Sequence, residues 1–372
     1  MERAIPQCNP RAAYQAQSTL IDAAIREVLE GGRYILGPHV VAFEQAFAHW
    51  IGTSHALGVA NGTDALEMAL RAIGVSKGDR VITTSMTAVA TVVAIRATGA
   101  LPVFADVDPD HGLLDAAQVE RVFATLGVPV KAIVPVHLYG RCADMDALCA
   151  LAREHGAAIV EDCAQAHGAS WNGRKAGTFG SIASFSFYPT KNLGAIGDAG
   201  AVTTNDPSLL ERLRLLREYG WRDRYISAVE GGNSRLDELQ AAILSVKLER
   251  LLEDNDRRRK VAAAYREGIQ NPRVELFRGD DTGHVYHQFV VRAPKRDALH
   301  SFLAERGVGT LIHYPVAVHD QPAYARAEFQ PLPLPNTEAW AATVLSLPMF
   351  PQLPMDDVFR VIEAVNAWPG RA

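Results

Sequence analysis

The fold is decided by the stretch Ile159-Val160-Glu161-Asp162-Cys163-Ala164-Gln165-Ala166-His167-Gly168-Ala169. It begins as a short apolar run, which is typical of a buried strand, and passes directly into two carboxylates. In an open α/β sheet, ligands bind beyond the carboxyl ends of the strands. The stretch therefore predicts a buried strand whose acids reach a ligand site, and an acid of an ordinary turn is the alternative that remains open.

Short apolar runs alternate with helical periods on both sides of this stretch. The strand-like runs cover residues 56–59, 79–83, 102–104, 130–136 and 157–160, and the helical periods include 63–73, 86–98 and 144–155. Strands that alternate with helices predict a three-layer α/β/α domain with a mainly parallel sheet covered on both faces. The right-handed crossovers of such a sheet place functional residues after its strands.

The pattern changes near Leu236. A long helical period covers 236–255, and it is followed by a strand-like run at 284–291, a helical period at 296–305 and a proline-rich segment at 313–354. We predict a large domain over residues 1–250 and a smaller α+β C-terminal domain over residues 251–372.

One lysine stands in a setting that differs from that of a surface lysine. Lys191 follows the aromatic, serine-rich run Ser184-Phe185-Ser186-Phe187 and precedes a glycine cluster at 194–200. Most lysines are solvated, but partial burial here lowers the pKa toward that of a useful amine nucleophile. Together, Lys191, an acid at 161–162 and the Ser186 hydroxyl are the parts that hold pyridoxal phosphate: an amine for its aldehyde, a partner for its pyridine nitrogen and a phosphate ligand.

A phosphate site is indicated earlier in the chain, at Ala60-Asn61-Gly62-Thr63-Asp64. Gly62 lets the backbone approach a ligand closely, and Thr63 opens a helix whose free N–H groups and dipole suit a phosphate. Taken alone, the segment is explained better by an ordinary helix N-cap.

Four motifs occur in a fixed order along the chain. They are Glu161-Asp162-x-Ala164-Gln165-x-His167-Gly168, Phe185-Ser186-Phe187-x-x-x-Lys191-Asn192-Leu193-Gly194, Gly232-Asn233-Ser234-Arg235-Leu236-Asp237 with Gln240, and His313-Tyr314-Pro315 with His319-x-Gln321. Together they resemble the nucleotide-sugar aminotransferases of the DegT/DnrJ/EryC1/StrS family, which are fold type I pyridoxal phosphate enzymes. The resemblance extends from Gly37 to Pro348.

The resemblance implies roles for the residues around the cofactor. Lys191 would bind the cofactor aldehyde and move the proton between carbon atoms of the substrate. Asp162 would pair with the pyridine nitrogen, and Gln165 would hydrogen-bond the phenolic oxygen of the ring. The implied phosphate ligands are Gly62, Thr63 and Ser186.

The resemblance also implies a homodimer with shared active sites, because the residue matching Asn233 reaches a phosphate in the neighbouring subunit in members of this group. His313 and Tyr314 match the segment near the sugar, and Tyr188 is a candidate neighbour. The sequence departs from many relatives at Ala88, where they carry an aromatic residue that stacks on the cofactor ring.

The segment around His313-Tyr314-Pro315 is most similar to members that act at C3 of a dTDP-3-keto-6-deoxyhexose. We therefore predict amination of such a nucleotide sugar, with glutamate as the amino donor. The alternatives are a C4 nucleotide-sugar or cyclitol aminotransferase, and a non-catalytic regulatory protein that binds pyridoxal phosphate. Related sugar dehydratases carry histidine in place of the lysine, so Lys191 favours transamination.

The composition excludes several other classes of protein. The 372 residues are 48% hydrophobic and 21% charged with a net charge of −5, which is ordinary for a globular protein and gives no field to recruit nucleic acid or a membrane. Four irregularly spaced cysteines predict reduced thiols in the cytoplasm rather than a disulfide framework: Cys8, Cys142, Cys149 and Cys163. Cys163 and His167 lack further ligands nearby, so no metal is expected. The charged run at 256–260 is predicted to be a solvated helix end.

Overall fold

The computed structural model describes residues 4–277 and 282–370. The helices are α1 (Pro10–Gln15), α2 (Ser18–Gly31), α3 (Pro38–Ile51), α4 (Gly62–Ala72), α5 (Val89–Ala97), α6 (Ala116–Leu126), α7 (Met145–Glu154), α8 (Pro207–Arg217), α9 (Glu238–Leu248), α10 (Leu251–Gly268), α11 (Arg296–Ala304), α12 (Pro335–Thr343) and α13 (Met355–Asn366). Within the described ranges, none of these helices is both long and apolar enough to cross a membrane.

The strands form one large sheet and three small ones. They are β1 (His55–Val59), β2 (Arg80–Thr84), β3 (Leu101–Ala105), β4 (Ala132–Val134), β5 (Ala158–Asp162), β6 (Ser170–Trp171), β7 (Arg174–Lys175), β8 (Ile182–Ser186), β9 (Gly200–Thr204), β10 (Trp221–Asp223), β11 (Ile226–Ser227), β12 (Glu275–Leu276), β13 (Phe289–Arg292) and β14 (Val344–Leu347).

The large sheet has the order β1-β9-β8-β5-β4-β2-β3, and all its neighbours pair in parallel except β9, which is antiparallel to both β1 and β8. Asp162 at the end of β5 pairs with Ser184 in β8, so the two strands finish at the same edge. This register brings the acid pair and the segment that follows β8 to one side of the sheet, as expected for a ligand site at strand ends.

Helices cover both faces of the large sheet. Successive side chains of a strand point to opposite faces, so neighbouring residues join different clusters. Val81 joins a buried cluster with apolar residues of α4, α5 and α8. Its neighbour Ile82 joins a second cluster with residues of α6 and α7, and Phe185 joins a third with residues of α3 and α9. The predicted three-layer α/β/α architecture of fold type I is confirmed.

The C-terminal part forms a separate antiparallel sheet in the order β12-β13-β14. Its core is built with α10, α11 and α13 and includes Ile5 from the other end of the chain. Ile5 pairs with Val308, and the side-chain amide of Gln7 donates to Gln288 Oε1 at 2.6 Å. The N-terminal strand segment therefore packs on the C-terminal unit, while the division at 250/251 remains a prediction.

Three local predictions were wrong. The single helix over 236–255 is two helices, α9 and α10, which meet at Glu249 and Arg250. The strand over 284–291 shortens to β13, because Tyr286 takes a positive φ of 47° that no extended strand contains. The charged run at 256–260 lies inside α10 rather than at its end, and Arg258 is buried, where Nη1 donates to the carbonyl oxygens of Tyr286 and Met349.

Candidate active site

Asp162 is the last residue of β5 and is buried at the carboxyl edge of the sheet. Its two carboxylate oxygens are held by different donors. The Thr91 hydroxyl donates to Oδ2 at 2.8 Å, and the Ala164 backbone N–H donates to Oδ1 at 3.1 Å. Asp162 is therefore a fixed carboxylate at the place where a ligand of this sheet is expected.

Glu161 points to the opposite side of β5 and has a structural role. Its carboxylate accepts backbone hydrogen bonds from Gly177, Phe179 and Gly180, each at 2.7 Å. It also lies 3.1 Å from Nε2 of His137, whose Nδ1 accepts from a backbone N–H, so Nε2 carries the proton and donates. Glu161 thus anchors the loop before β8 rather than reaching the ligand edge.

The ligand atoms of His137, Glu161 and Cys163 all lie within 4.8 Å of one another. Hydrogen bonds already occupy both oxygens of Glu161 and both nitrogens of His137. Burial also raises the pKa of the Cys163 thiol well above its usual value. This triplet is explained by its hydrogen bonds without a metal.

Lys191 follows β8 on the same edge of the sheet as Asp162. Burial lowers the pKa of its ammonium to about 8, and the nearby carboxylate of Asp162 opposes this shift. The amine of Lys191 is therefore neutral more often at pH 7 than that of a surface lysine. An amine of this kind is suited both to attack an aldehyde and to transfer a proton.

Three histidines lie close enough to Lys191 for its charge to lower their pKa. Burial is the larger cause in each case: the pKa of His167 falls to about 3, that of His313 to about 4, and that of His287 well below its usual value. All three are neutral at pH 7 and add no positive charge beside the lysine.

The start of α4 and the end of β8 form an anion-binding corner. Gly62 and Thr63 are the first two residues of α4, so their N–H groups have no partner within the helix. A Cβ at Gly62 would lie 2.4 Å from Cβ of Ser186, so only glycine allows this contact. Ser186 Oγ accepts from the Tyr188 N–H at 3.3 Å and keeps its own proton for a ligand. Backbone and hydroxyl donors at a helix N-terminus suit a phosphate.

Gln165 is oriented by two contacts. Its Oε1 accepts from the Tyr139 backbone N–H at 2.7 Å, and its Nε2 donates to the Tyr314 hydroxyl at 3.1 Å. Because the carbonyl oxygen is engaged by a backbone donor, the amide group of Gln165 is presented as a donor toward the site. A donor here matches the phenolic oxygen that the sequence analysis assigned to Gln165.

His313 and Tyr314 lie on the C-terminal side of the site. Nδ1 of His313 is 2.8 Å from the Ser346 hydroxyl, and the His313 carbonyl oxygen accepts from the Tyr139 hydroxyl. Burial raises the pKa of Tyr314 to about 12, so its phenol stays protonated. Tyr314 thus contacts Gln165, whereas Tyr188 is 53% exposed and open to solvent.

The residues present fit pyridoxal phosphate. The helix start at Gly62, with the Ser186 hydroxyl beside it, offers donors for the phosphate, and Gln165 offers a donor for the phenolic oxygen. Asp162 is a carboxylate for the ring nitrogen, and Lys191 is a buried amine with a lowered pKa for the aldehyde. Each donor or acceptor in the set matches one group of the cofactor.

Comparison with known proteins identifies the family. The profile of the DegT/DnrJ/EryC1/StrS aminotransferase family matches residues 15–366. The chain belongs to this family. As an aminotransferase of this family, it is an enzyme that uses pyridoxal phosphate.

The aminotransferase is similar to relatives along its full length. It is 48% identical over 99% of its chain, and 97% of the relative, to the dTDP-3-amino-3,4,6-trideoxy-alpha-D-glucose transaminase of Streptomyces venezuelae. It superposes on the crystal structure of Streptomyces venezuelae DesV in complex with a ketimine intermediate with a TM-score of 0.95 over 100% of both chains, at 48% identity. It is also 44% identical over 97% of both chains to a pleiotropic regulatory protein of Geobacillus stearothermophilus.

Several residues at the site of this aminotransferase were missed by the sequence analysis. Thr91 was treated only as part of a helical period, and Tyr139 belongs to a turn with a φ of 60° that no motif indicated. His287 Nδ1 lies 3.3 Å from Asn192 Oδ1, next to the lysine. The signal available for Thr91 was the run Ser85-Met86-Thr87-Ala88-Val89-Ala90-Thr91. In this run the hydroxyls of Ser85 and Thr87 follow directly after the end of β2.

Asn233 lies apart from the other predicted cofactor residues, in a surface cavity that none of them lines. It is exposed and lines a cavity of about 320 Å³ with Asp64, Glu67 and Glu230. The segment is anchored by Ser234, whose hydroxyl donates to Asp64 Oδ2 at 2.6 Å. This arrangement leaves the Asn233 side chain at the surface, where a second subunit has access to it.

Proposed function

We propose that this aminotransferase converts a dTDP-linked 3-keto-6-deoxy sugar to the 3-amino sugar, with glutamate as the amino donor. The observation that carries the proposal is the 48% identity, over nearly the whole chain, to a transaminase named for a dTDP-3-amino sugar. The four free cysteines suit a reducing compartment, so we place the enzyme in the cytoplasm.

Lys191 performs the proton transfers in this proposal. When bound, pyridoxal phosphate supplies a conjugated ring that accepts electrons from the reacting carbon. Lys191 would take a proton from the amino-bearing carbon of the donor and return it to the carbon on the other side of the reacting nitrogen, which requires an amine that is neutral in an appreciable fraction near pH 7. Its pKa of about 8 meets that requirement.

The fixed groups around Lys191 orient the reactants. Asp162 presents a carboxylate toward the ring nitrogen, and Gln165 presents its amide donor. His313 is neutral and hydrogen-bonded through Nδ1 to Ser346, so Nε2 is left to meet a sugar hydroxyl. Positioned groups of this kind bring the keto carbon to within about 3 to 3.5 Å of the reacting nitrogen.

The substrate assignment is tested with a panel of nucleotide sugars. The amine form of the enzyme is incubated with 3-keto and 4-keto sugars linked to dTDP or UDP and with a cyclitol ketone, and NMR locates the new amine. We expect the amine at C3 of the dTDP-linked sugar. An amine at C4, or turnover of the cyclitol alone, would overturn the assignment of amination to C3. The assignment of the protein as a transaminase would still stand.

The alternative of a non-catalytic regulatory protein is favoured by one relative, the pleiotropic regulatory protein that is 44% identical to this chain. The two functions differ in the amino-acid half-reaction. Excess glutamate should shift the absorbance of the bound cofactor from the aldehyde form to the amine form. A cofactor spectrum unchanged by glutamate and by other amino acids would favour a regulatory protein without turnover.

We expect His313→Ala to lower the rate of the sugar half-reaction about 10- to 100-fold, because a hydrogen bond to the sugar is lost in a buried site. The glutamate half-reaction should change much less. Single-turnover absorbance with each substrate separately measures both rates. Equal losses in both half-reactions would show that His313 serves the cofactor.

Tyr314→Phe is the comparison for this test. The substitution removes only the hydroxyl that accepts from Gln165. A selective loss in the sugar half-reaction supports the predicted sugar contact, and equal losses would assign Tyr314 to the orientation of Gln165 instead.

We infer a homodimer in which Asn233 completes the site of the neighbouring subunit, as its exposure in the single chain allows. Mixing Lys191→Ala with Asn233→Ala should then restore activity, because a mixed dimer has one site with both defects and one with neither. Random exchange of an equal mixture gives about a quarter of the wild-type activity.

The control mixes Lys191→Ala with the double variant Lys191→Ala/Asn233→Ala, which offers no intact site in any pairing. Activity is measured after subunit exchange, with the mass of the assembly determined by light scattering. A fully active monomer, or no recovery in the mixed dimer, contradicts the shared site.

A further inference from the structure

A chain of two hydroxyls leads from α5 to the carboxylate of Asp162. The Thr91 hydroxyl lies 2.8 Å from Asp162 Oδ2, and the Thr87 hydroxyl lies 2.8 Å from that of Thr91. The three side chains are buried, with exposed fractions of 2% for Thr87, 1% for Thr91 and 7% for Asp162. The family motifs include Asp162 but neither threonine.

The hydrogen bonds in this chain have one direction. An ionised carboxylate only accepts, so the single proton of the Thr91 hydroxyl is donated to Asp162. The Thr91 oxygen is then left to accept, and Thr87 is its donor. Each hydroxyl therefore supports the next donor, and bonds in such a chain strengthen one another in a buried setting.

We propose that Thr91, supported by Thr87, is a positioning residue that fixes the carboxylate of Asp162 toward the cofactor nitrogen. Thr91 lies in the first turn of α5, and its β-branched side chain has few rotamers there. With Oδ2 held by Thr91 and Oδ1 held by the Ala164 N–H, rotation of the carboxylate breaks at least one bond. The proposal rests on the predicted role of Asp162 toward the ring nitrogen.

The test compares two ligands that differ only at that nitrogen. Full-length apoenzyme is titrated with pyridoxal phosphate and with its 1-deaza analogue, in which a C–H group replaces the ring nitrogen, and dissociation constants are read from protein fluorescence. For Thr91→Val, we expect pyridoxal phosphate to bind about 10- to 100-fold more weakly, while the affinity for the deaza analogue changes less than about 3-fold. Thr91→Ser retains the hydroxyl and should restore the wild-type ratio.

Thr83→Val is the matched control, because Thr83 is a fully buried threonine whose hydroxyl donates to the Val134 carbonyl at 2.9 Å within the sheet. It loses the same chemical group away from the site and should leave the ratio of the two affinities unchanged. If Thr91→Val does not fold, Thr87→Val removes the supporting donor instead, and a selective loss of a few fold for pyridoxal phosphate is expected.

The outcomes separate the two roles. Asp162→Asn should also show a loss for pyridoxal phosphate that the deaza analogue does not show. If Asp162→Asn shows this selective loss, but Thr91→Val weakens the binding of both ligands equally or of neither ligand, the positioning role of Thr91 is overturned. The role of Asp162 toward the ring nitrogen then still stands. If Asp162→Asn treats both ligands alike, the role of Asp162 fails, and that of Thr91 fails with it.

Discussion

Lys191→Ala should lower transamination by at least about 10⁴-fold, since it removes the proposed amine for the cofactor aldehyde and the proposed group that moves the proton. The loss should appear in both half-reactions. The cofactor should still bind noncovalently, because the donors at the start of α4, Ser186, Asp162 and Gln165 are unchanged. Single-turnover rates with glutamate and with the keto sugar measure the effect.

Lys247 provides a demanding control for this assignment. It is a second half-buried lysine whose pKa burial lowers to about 8, and its ammonium donates to the Gly194 carbonyl oxygen. A lowered pKa alone therefore does not identify the reactive lysine, and the prediction for Lys191 rests in addition on its position beside Asp162. Lys247→Ala should retain the ability to bind the cofactor covalently.

Borohydride reduction followed by peptide mass spectrometry tests both lysines in one experiment. The reduced cofactor should be found on Lys191 in the wild-type enzyme and in Lys247→Ala, and on no lysine in Lys191→Ala. Attachment to Lys247 or to another lysine of the wild-type enzyme contradicts the assignment.

The alternation of strands and helices in the large sheet was predictable from β1 to β5, because each of these buried strands is a short apolar run, whereas the buried strand β9 was not predicted. β5 ends at Asp162, as the passage from Ile159-Val160 into two acids indicated. The helix predicted from Thr63 begins one residue earlier, at Gly62, since Asn61 caps it by accepting from the Asp64 N–H. Local patterns of burial and capping carried this part of the fold.

Elements that depend on distant contacts were not predictable. No glycine or proline marks the break between α9 and α10, where Arg250 N–H bonds to the Lys247 carbonyl oxygen in a tighter turn. Arg258 resembles its charged neighbours in sequence, and only its carbonyl partners at Tyr286 and Met349 make it a buried residue. Ile5 pairs with Val308 across most of the chain length.

At the site, the sequence pointed to the residues predicted to meet the cofactor and missed those that hold these residues in place. Asp162 and Lys191 stand in motifs because their chemistry is specific. Thr91 and Tyr139 act through one hydroxyl and one backbone N–H, which threonine and tyrosine offer wherever they occur. Their roles became visible only when the structure placed them beside Asp162 and Gln165.

The second prediction with a large expected effect distinguishes the roles of the two adjacent acids of β5, Asp162 and Glu161. Asp162→Asn should lower the rate of both half-reactions about 10²- to 10³-fold, because an amide replaces the charge that stabilises positive charge on the ring nitrogen. The change keeps the size of the side chain. The amide oxygen can accept from the Ala164 N–H while the NH2 group donates to Thr91, whose hydroxyl then turns to donate to Thr87, so the melting temperature should change little. Steady-state rates and thermal unfolding of the same samples give both quantities.

Glu161→Gln is the matched substitution at the neighbouring residue, and it should show the reverse pattern. The fully buried carboxylate of Glu161 accepts from three backbone N–H groups and from His137. An amide there turns an acceptor into a donor that faces other donors, at a cost of about 2–4 kcal/mol of unfolding free energy. The enzyme that remains folded should keep most of its activity, since Glu161 does not face the ligand edge. Wild-type rates in Asp162→Asn together with loss of catalysis in stable Glu161→Gln would exchange the two roles.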